Sequence, residues 1–153
     1  MSSTIAHVSL PSPEAKSPPH WTAAYIGKPY RAGANGPDAF DCWGIGRHHY
    51  AKQFGIAIPS MPLERLCLDH TNLRIFEDAL DGDWDEIDMP EEHCGVALAR
   101  CQIITHVGLW TWADGGRVLH MQGNRFVVTQ SIPELRAELW SVVKFYRHKQ
   151  LPC

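Results

Sequence analysis

Cys42, His106 and His120 combine residue types and surroundings suited to nucleophilic catalysis. Cys42 opens a helix expected from about Cys42 to Phe54, after a loop rich in Gly33, Asn35, Gly36 and Pro37. Unpaired backbone N–H groups and the dipole at a helix N-terminus favour an anion, so this site is expected to lower a thiol from its free value near ~8.5. His106 opens the amphipathic run Thr105 to Trp112, and His120 lies in Val118 to Gln122, beyond the turn signal Asp114-Gly115-Gly116. Two neighbouring antiparallel strands can present two imidazoles to each other. A nucleophile, a base and a group that holds the base are what thioester chemistry on an amide requires. Spacing alone is a weak sign, because a solitary Cys is ordinarily a small buried hydrophobe and a strand His is ordinarily packing. Two local words strengthen it. Phe40-Asp41-Cys42-Trp43-Gly44 puts the thiol at a helix start, and His106-Val107-Gly108 leaves open space beside a ring.

The elements that must position these residues follow from local pattern. Residues 1–19 carry Pro11, Pro13, Pro18 and Pro19 among polar residues and read as a tail; residues 20–153 read as one domain. A short helix is expected from His20 to Ile26. On the Cys42 helix, Asp38 and Asp41 are candidate caps, Gly55 suits the exit, and Trp43, Arg47, Tyr50 and Phe54 share a face. Gly44 and Gly46 suggest that a backbone or a substrate approaches the first turn. A second helix is expected over Asn72 to Leu80, and the acidic residues 81–93 read as a loop. Strands are expected over Val96 to Ala99, Thr105 to Trp112, Val118 to Gln122, Phe126 to Thr129 and Val142 to His148. A capping box at Ser131 to Glu134 opens a short helix. Helices first and an antiparallel sheet afterwards is α+β.

Composition narrows the function. The 153 residues carry 44% hydrophobic and 20% charged side chains, a balance that folds without staples. The net charge of −3 argues against a broad basic face, so no nucleic acid partner is expected. No run approaches a membrane span and no secretory signal opens the chain, so no membrane insertion is expected. Five cysteines, at Cys42, Cys67, Cys94, Cys101 and Cys153, read as reduced thiols. His93-Cys94 with Cys101 raises zinc, but the spacing is too wide and no second pair exists. The acidic run lacks the ligand pattern of a calcium loop. Neither a metal nor an organic cofactor is expected. His48 and His49 read as surface or packing, and Trp110 and Trp112 as core.

The run Tyr25-Ile26-Gly27-Lys28-Pro29-Tyr30, with Gly33, Gly36-Pro37-Asp38 and Phe40-Asp41-Cys42-Trp43-Gly44, resembles the N-terminal half of NlpC/P60 cysteine peptidases. His106-Val107-Gly108-Leu109-Trp110 and Val118-Leu119-His120 resemble the second half. Trp43 after the Cys, and the closing Phe145-Tyr146-Arg147-His148, resemble the phage and prophage tail-assembly members. The resemblance covers residues 21–148. It implies a papain-like core, with the Cys helix packed on an antiparallel sheet. It implies hydrolysis of peptidoglycan stem peptides, commonly between D-γ-glutamate and the diamino acid. Cys42 would be nucleophile, His106 base and His120 the orienting group. Tyr30 and the Cys42 N–H would shape the oxyanion site. Asp41, as cap or substrate contact, and Trp43, where many members have Ser, would border the substrate. Delivery would follow synthesis in the bacterial cytoplasm, in a virion tail or into the periplasm, with tail proteins as possible partners. Two other classes remain: a tail-tip assembly protein with weak or no activity, and a thioester-forming acyl or amide transferase.

Overall fold

The structure, a computed structural model, describes residues 19–61 and 75–153. The Pro-rich tail up to Pro18, Cys67 and the first residues of the expected second helix lie outside the described residues. A 3-10 turn at Trp21–Ala24 stands where a helix to Ile26 was expected. Helix α1 runs Cys42–Phe54, α2 Ile75–Leu80 and α3 Ile132–Ala137. Strands β1 (Trp84–Ile87), β2 (Gly95–Arg100), β3 (Ile103–Thr111), β4 (Arg117–Gln122), β5 (Phe126–Gln130) and β6 (Val142–His148) form one sheet in the order β1-β6-β2-β3-β4-β5. Every pairing is antiparallel.

Strand alternation divides the core. Ala97, Ala99, Val107, Leu109, Leu119, Met121 and Val127 pack with Trp43, Ile45 and Tyr50 of α1. Val96, Leu98, Trp110 and Val118 pack instead with Leu135 of α3 and with Trp140. The sheet is thus covered on both faces, and one face carries the Cys-bearing helix. The Ser131 capping box forms, with the Glu134 carboxylate accepting from the Ser131 N–H at 2.7 Å.

The acidic segment differs from its sequence reading, because β1 lies inside it. The strand pairs with the basic β6, and Lys144–Glu86 (3.4 Å) and Lys149–Asp85 (3.8 Å) match charges at this edge. Trp84 anchors it, its ring 5.3 Å from Tyr50 and 4.8 Å from His148. Acidic residues on an edge strand leave one sheet rim unattractive to other strands, and this masked the strand in the sequence. The two tryptophans also separate: Trp110 is core, while Trp112 lies past the end of β3 and is half exposed. No described helix is long and apolar enough to cross a membrane.

Away from the Cys42 end of α1, His49 is 2% exposed and bonds the Tyr25 hydroxyl (3.3 Å) and His93 (2.9 Å). Burial first, and His93 second, push its pKa down from 6.5 to about 3. The unfolded chain therefore binds this proton more tightly than the fold does. His49 contributes its full stability above 6.5 and loses it as the pH falls toward 3. At about pH 5 the loss from this one ring is about 2 kcal/mol, or ~4–8 °C in Tm. Melting curves across pH check this. Tm should fall below neutrality, and the slope should flatten in His49→Gln; a flat wild-type profile would contradict it.

Candidate active site

The first turn of α1, the start of β3 and the end of β4 meet at one cleft of about 340 Å³. Tyr30, Asp41 and Cys42 line one side, and Thr105, His106, His120 and Met121 another. Arg100, Glu138 and Trp140 contribute the remaining charged and aromatic wall.

Asp41 is the N-cap of α1. Its Oδ1 accepts the Gly44 N–H at 2.6 Å and its Oδ2 accepts the Gly33 N–H at 2.9 Å. The carboxylate therefore ties the glycine loop to the first turn that carries Cys42. The same loop returns through the Asp41 N–H, which donates to the Ala34 carbonyl at 3.0 Å. A Cβ on Gly44 would overlap that carbonyl, so glycine is needed there for a backbone approach. Gly46, expected to serve the same purpose, faces open space.

The two histidines meet because of register. Gly108 of β3 is the cross-strand partner of His120. His106, two residues earlier, shares the Gly108 face and becomes the diagonal neighbour of His120. His106 Nε2 lies 2.9 Å from His120 Nδ1. His120 is 1% exposed, and its Nε2 lies 2.6 Å from Gln130 Oε1. Gly108 has a different task from leaving the ring room. A Cβ there would come 2.6 Å from the Leu119 carbonyl oxygen and 3.0 Å from His120 Cβ, so glycine lets β4 approach.

Tyr30 lines the cleft and is held through its backbone N–H, which donates to the Arg125 carbonyl at 3.1 Å. Trp43 is absent from the cleft wall. One residue further along the helix, it turns into the core, packs near Phe76 and donates its indole N–H to the Pro59 carbonyl at 2.8 Å. Among the other described thiols, Cys94 is buried and Cys101 and Cys153 are exposed. No group of three or more His, Cys, Asp or Glu among the described residues is arranged to hold a metal ion.

A profile of the NlpC/P60 family matches residues 27–142, a span that includes every residue of the cleft wall. The chain belongs to the NlpC/P60 family. Among solved structures it is similar to the NlpC/p60 domain of the peptidoglycan hydrolase SagA, with a TM-score of 0.52 and 22% identity over 82% of this chain and 90% of that one. The likeness is one of fold, the papain-like α+β arrangement of a helix packed on an antiparallel sheet. No curated protein matches the chain.

Within this NlpC/P60 site the electrostatics run against a resting thiolate. Burial first, and the Asp41 charge second, push the Cys42 thiol up from 9.0 to about 12. Hydrogen bonds from the backbone pull the other way and lose, because the desolvation of an anion outweighs one helix end. The expectation of a lowered thiol is therefore reversed. Burial also pushes His106 down from 6.5 to about 3, helped by His120 and Arg100, and lowers His120. Cys42 and His106 are each partly exposed and border the cleft. Both groups of this cleft, the Cys42 thiol and the His106 imidazole, are thereby held in their neutral forms. Residue-resolved alkylation checks this. Between about pH 6 and 9, Cys42 should react with iodoacetamide more slowly than Cys101 and Cys153. Faster labelling at Cys42 would mean a stabilised thiolate.

Four residues around the histidines carried no individual signal: Arg100, Gln130, Glu138 and Trp140. Trp140 stacks on His106, with centroids 5.3 Å apart and planes at 17°. Arg100 lies over the other partner of that stack, 3.9 Å from the Trp140 centroid. Gln130 was within reach of register, since His120 pairs with Val128 and Gln130 lies two residues on along the same face.

Proposed function

We propose that this chain is a cysteine peptidase that hydrolyses amide bonds in peptidoglycan stem peptides, at D-γ-glutamyl–diamino acid, as part of a phage or prophage tail. The observation that carries the reading is one cleft lined by Cys42 and by the hydrogen-bonded pair His106–His120. Cys42 Sγ attacks the amide carbon while His106 takes the thiol proton. The negative charge that develops on oxygen falls to the Cys42 N–H and Tyr30. One well-placed donor of this kind is worth about 3–4 kcal/mol. His106 passes its proton to the leaving amine, the amide C–N bond breaks, and a thioester remains on Cys42. Water, deprotonated by His106, then releases the acid and restores the thiol.

Arg100 supports a carboxylate-bearing substrate. Its guanidinium rests on Trp140, one nitrogen donates to the Glu138 carbonyl at 3.1 Å, and no described carboxylate pairs with it. Stem peptides carry free carboxylates within a few bonds of the scissile amide. The tail assignment and delivery in a virion or to the periplasm rest on the resemblance of Trp43 and Phe145 to His148.

Synthetic L-Ala-γ-D-Glu-diaminopimelate tests the reading. Wild type should release diaminopimelate and Cys42→Ala should not. Arg100→Gln should raise KM about ten-fold on the free acid, the cost of a lost charged hydrogen bond. It should leave the amidated isoglutamine peptide unaffected. Release that persists in Cys42→Ala would end the proposal.

The raised thiol favours a second reading, a tail-tip assembly protein with weak or no activity until partners bind. Wild type would then leave the tripeptide intact alone and cleave it, if at all, within an assembled tail. An acyl-transfer reading has less support. The second cavity lined by Cys42, walled mainly by apolar residues such as Trp43, Ile58, Leu80 and Leu109, is narrow beside the 340 Å³ cleft.

A further inference from the structure

Beyond the two histidines the polar contacts continue to a carboxylate. Glu138 Oε1 accepts from Gln130 Nε2 at 2.9 Å and from Gln122 Nε2 at 2.7 Å. A carboxylate only accepts, so it fixes which end of the Gln130 amide faces it. The NH2 points to Glu138, and the carbonyl oxygen turns to His120 Nε2 at 2.6 Å. That oxygen also only accepts, so the His120 proton sits on Nε2 and Nδ1 is bare. Bare Nδ1 must then receive a proton from His106 Nε2 at 2.9 Å. His106 Nδ1 is left as the nitrogen with a free lone pair, the form a general base needs.

We propose that Glu138, acting through Gln130, is a positioning residue that sets the tautomers of His120 and His106. It rests on the reading of His106 as base, and reaches that ring only through Gln130 and His120. Without the carboxylate, Gln130 is free to turn its NH2 toward His120. The His120 proton then moves to Nδ1, opposite the N–H of His106. That clash is relieved only if His106 carries its proton on Nδ1, where it can no longer accept one. Burial lowers both rings and so favours their neutral forms, which leaves the tautomer as the variable. The Met121 backbone also lies beside both rings, the Arg100 charge acts on His106 and the Glu138 charge on His120. The Glu138 main chain has a structural task of its own. It ends α3 and its carbonyl accepts from Arg100 at 3.1 Å, which a side-chain exchange leaves in place.

Nitrogen-15 NMR of the histidine rings tests the proposal directly in the full chain. Wild type should show the proton on Nε2 of both His106 and His120. Glu138→Gln should mix the tautomers and lower kcat about ten- to a hundred-fold, the range for losing a histidine's outer partner at metal centres, with KM unchanged. The exchanged pair, Gln130→Glu with Glu138→Gln, again puts an acceptor against His120 and should restore both readouts. A proton on His120 Nδ1 in wild type would overturn the proposal, whether or not any variant folds. So would unchanged tautomers in Glu138→Gln. If wild type hydrolyses no stem peptide, the proposed function fails, while the ring spectra still judge this proposal on their own.

Discussion

Replacing His106 with alanine should lower kcat on a stem peptide by on the order of 10⁴, with KM little changed. The size follows from the resting state. The Cys42 thiol is pushed up to about 12, so at neutral pH it gives no useful thiolate unaided. Hydrolysis then depends on a base that takes the proton as the carbon–sulfur bond forms. In the proposed mechanism His106 is that base, and its lowered pKa keeps it unprotonated far below 6.5. The sign of the pH dependence is therefore fixed. Wild-type kcat/KM should hold as the pH drops through 6.5 and fall only as His106 protonates in more acid solution. A thiolate–imidazolium pair would respond differently, with an ion pair already made in the free enzyme. His120→Ala should cost less than His106→Ala, because the base remains and loses only its partner at 2.9 Å. Steady-state rates of the three proteins across pH check these statements. Retention of activity within ten-fold in His106→Ala would rule out His106 as the base.

Gly108→Ala should damage activity and stability together. The added Cβ has no space to enter: it would lie 2.6 Å from the Leu119 carbonyl, 2.8 Å from Val118 Cγ1 and 3.0 Å from His120 Cβ. Two of the three contacts are backbone or Cβ atoms, which cannot swing aside. Strands β3 and β4 must part where Gly108 faces His120, and the diagonal pair His106–His120 is carried on that contact. Overpacking of this kind costs about 1–3 kcal/mol. A base displaced by about 1 Å can lose ~10²-fold in rate. Thermal melts with kcat measurements read both effects. Gly46→Ala is the matched control, since a Cβ there meets open space. Equal behaviour of the two variants would show that strand approach does not set the histidine pair.

The helix bearing Cys42 was legible because its punctuation is local: an Asp cap, a glycine loop before it and Gly55 in the left-handed conformation after it. The strands after residue 94 were legible for the same reason, through alternation and turn residues. The pairing of His106 with His120 lies between local and tertiary. Order along the chain suggested it, but only the Gly108–His120 register makes it a contact. What stayed hidden depends on neighbours distant in sequence. Strand β1 is acidic and gains its identity from a basic partner 60 residues on. Trp43 belongs to the core because a helix turns each residue about 100° from the last. The direction of the thiol's shift is set by how much solvent burial removes, which a helix start alone does not reveal. Gln130 and Glu138 are common surface types, and only hydrogen-bond geometry gives them a task.

The most direct test is a mass-spectrometric digest of Gram-negative peptidoglycan, wild type beside Cys42→Ala. The thiol and the histidine pair in one cleft predict new stem fragments from wild type only. Their masses should place the cut between D-γ-glutamate and the diamino acid. The same fragments from Cys42→Ala would contradict a thiol nucleophile. No fragments from either protein would contradict hydrolysis by the chain alone, and would shift the weight to the proposed tail-assembly reading.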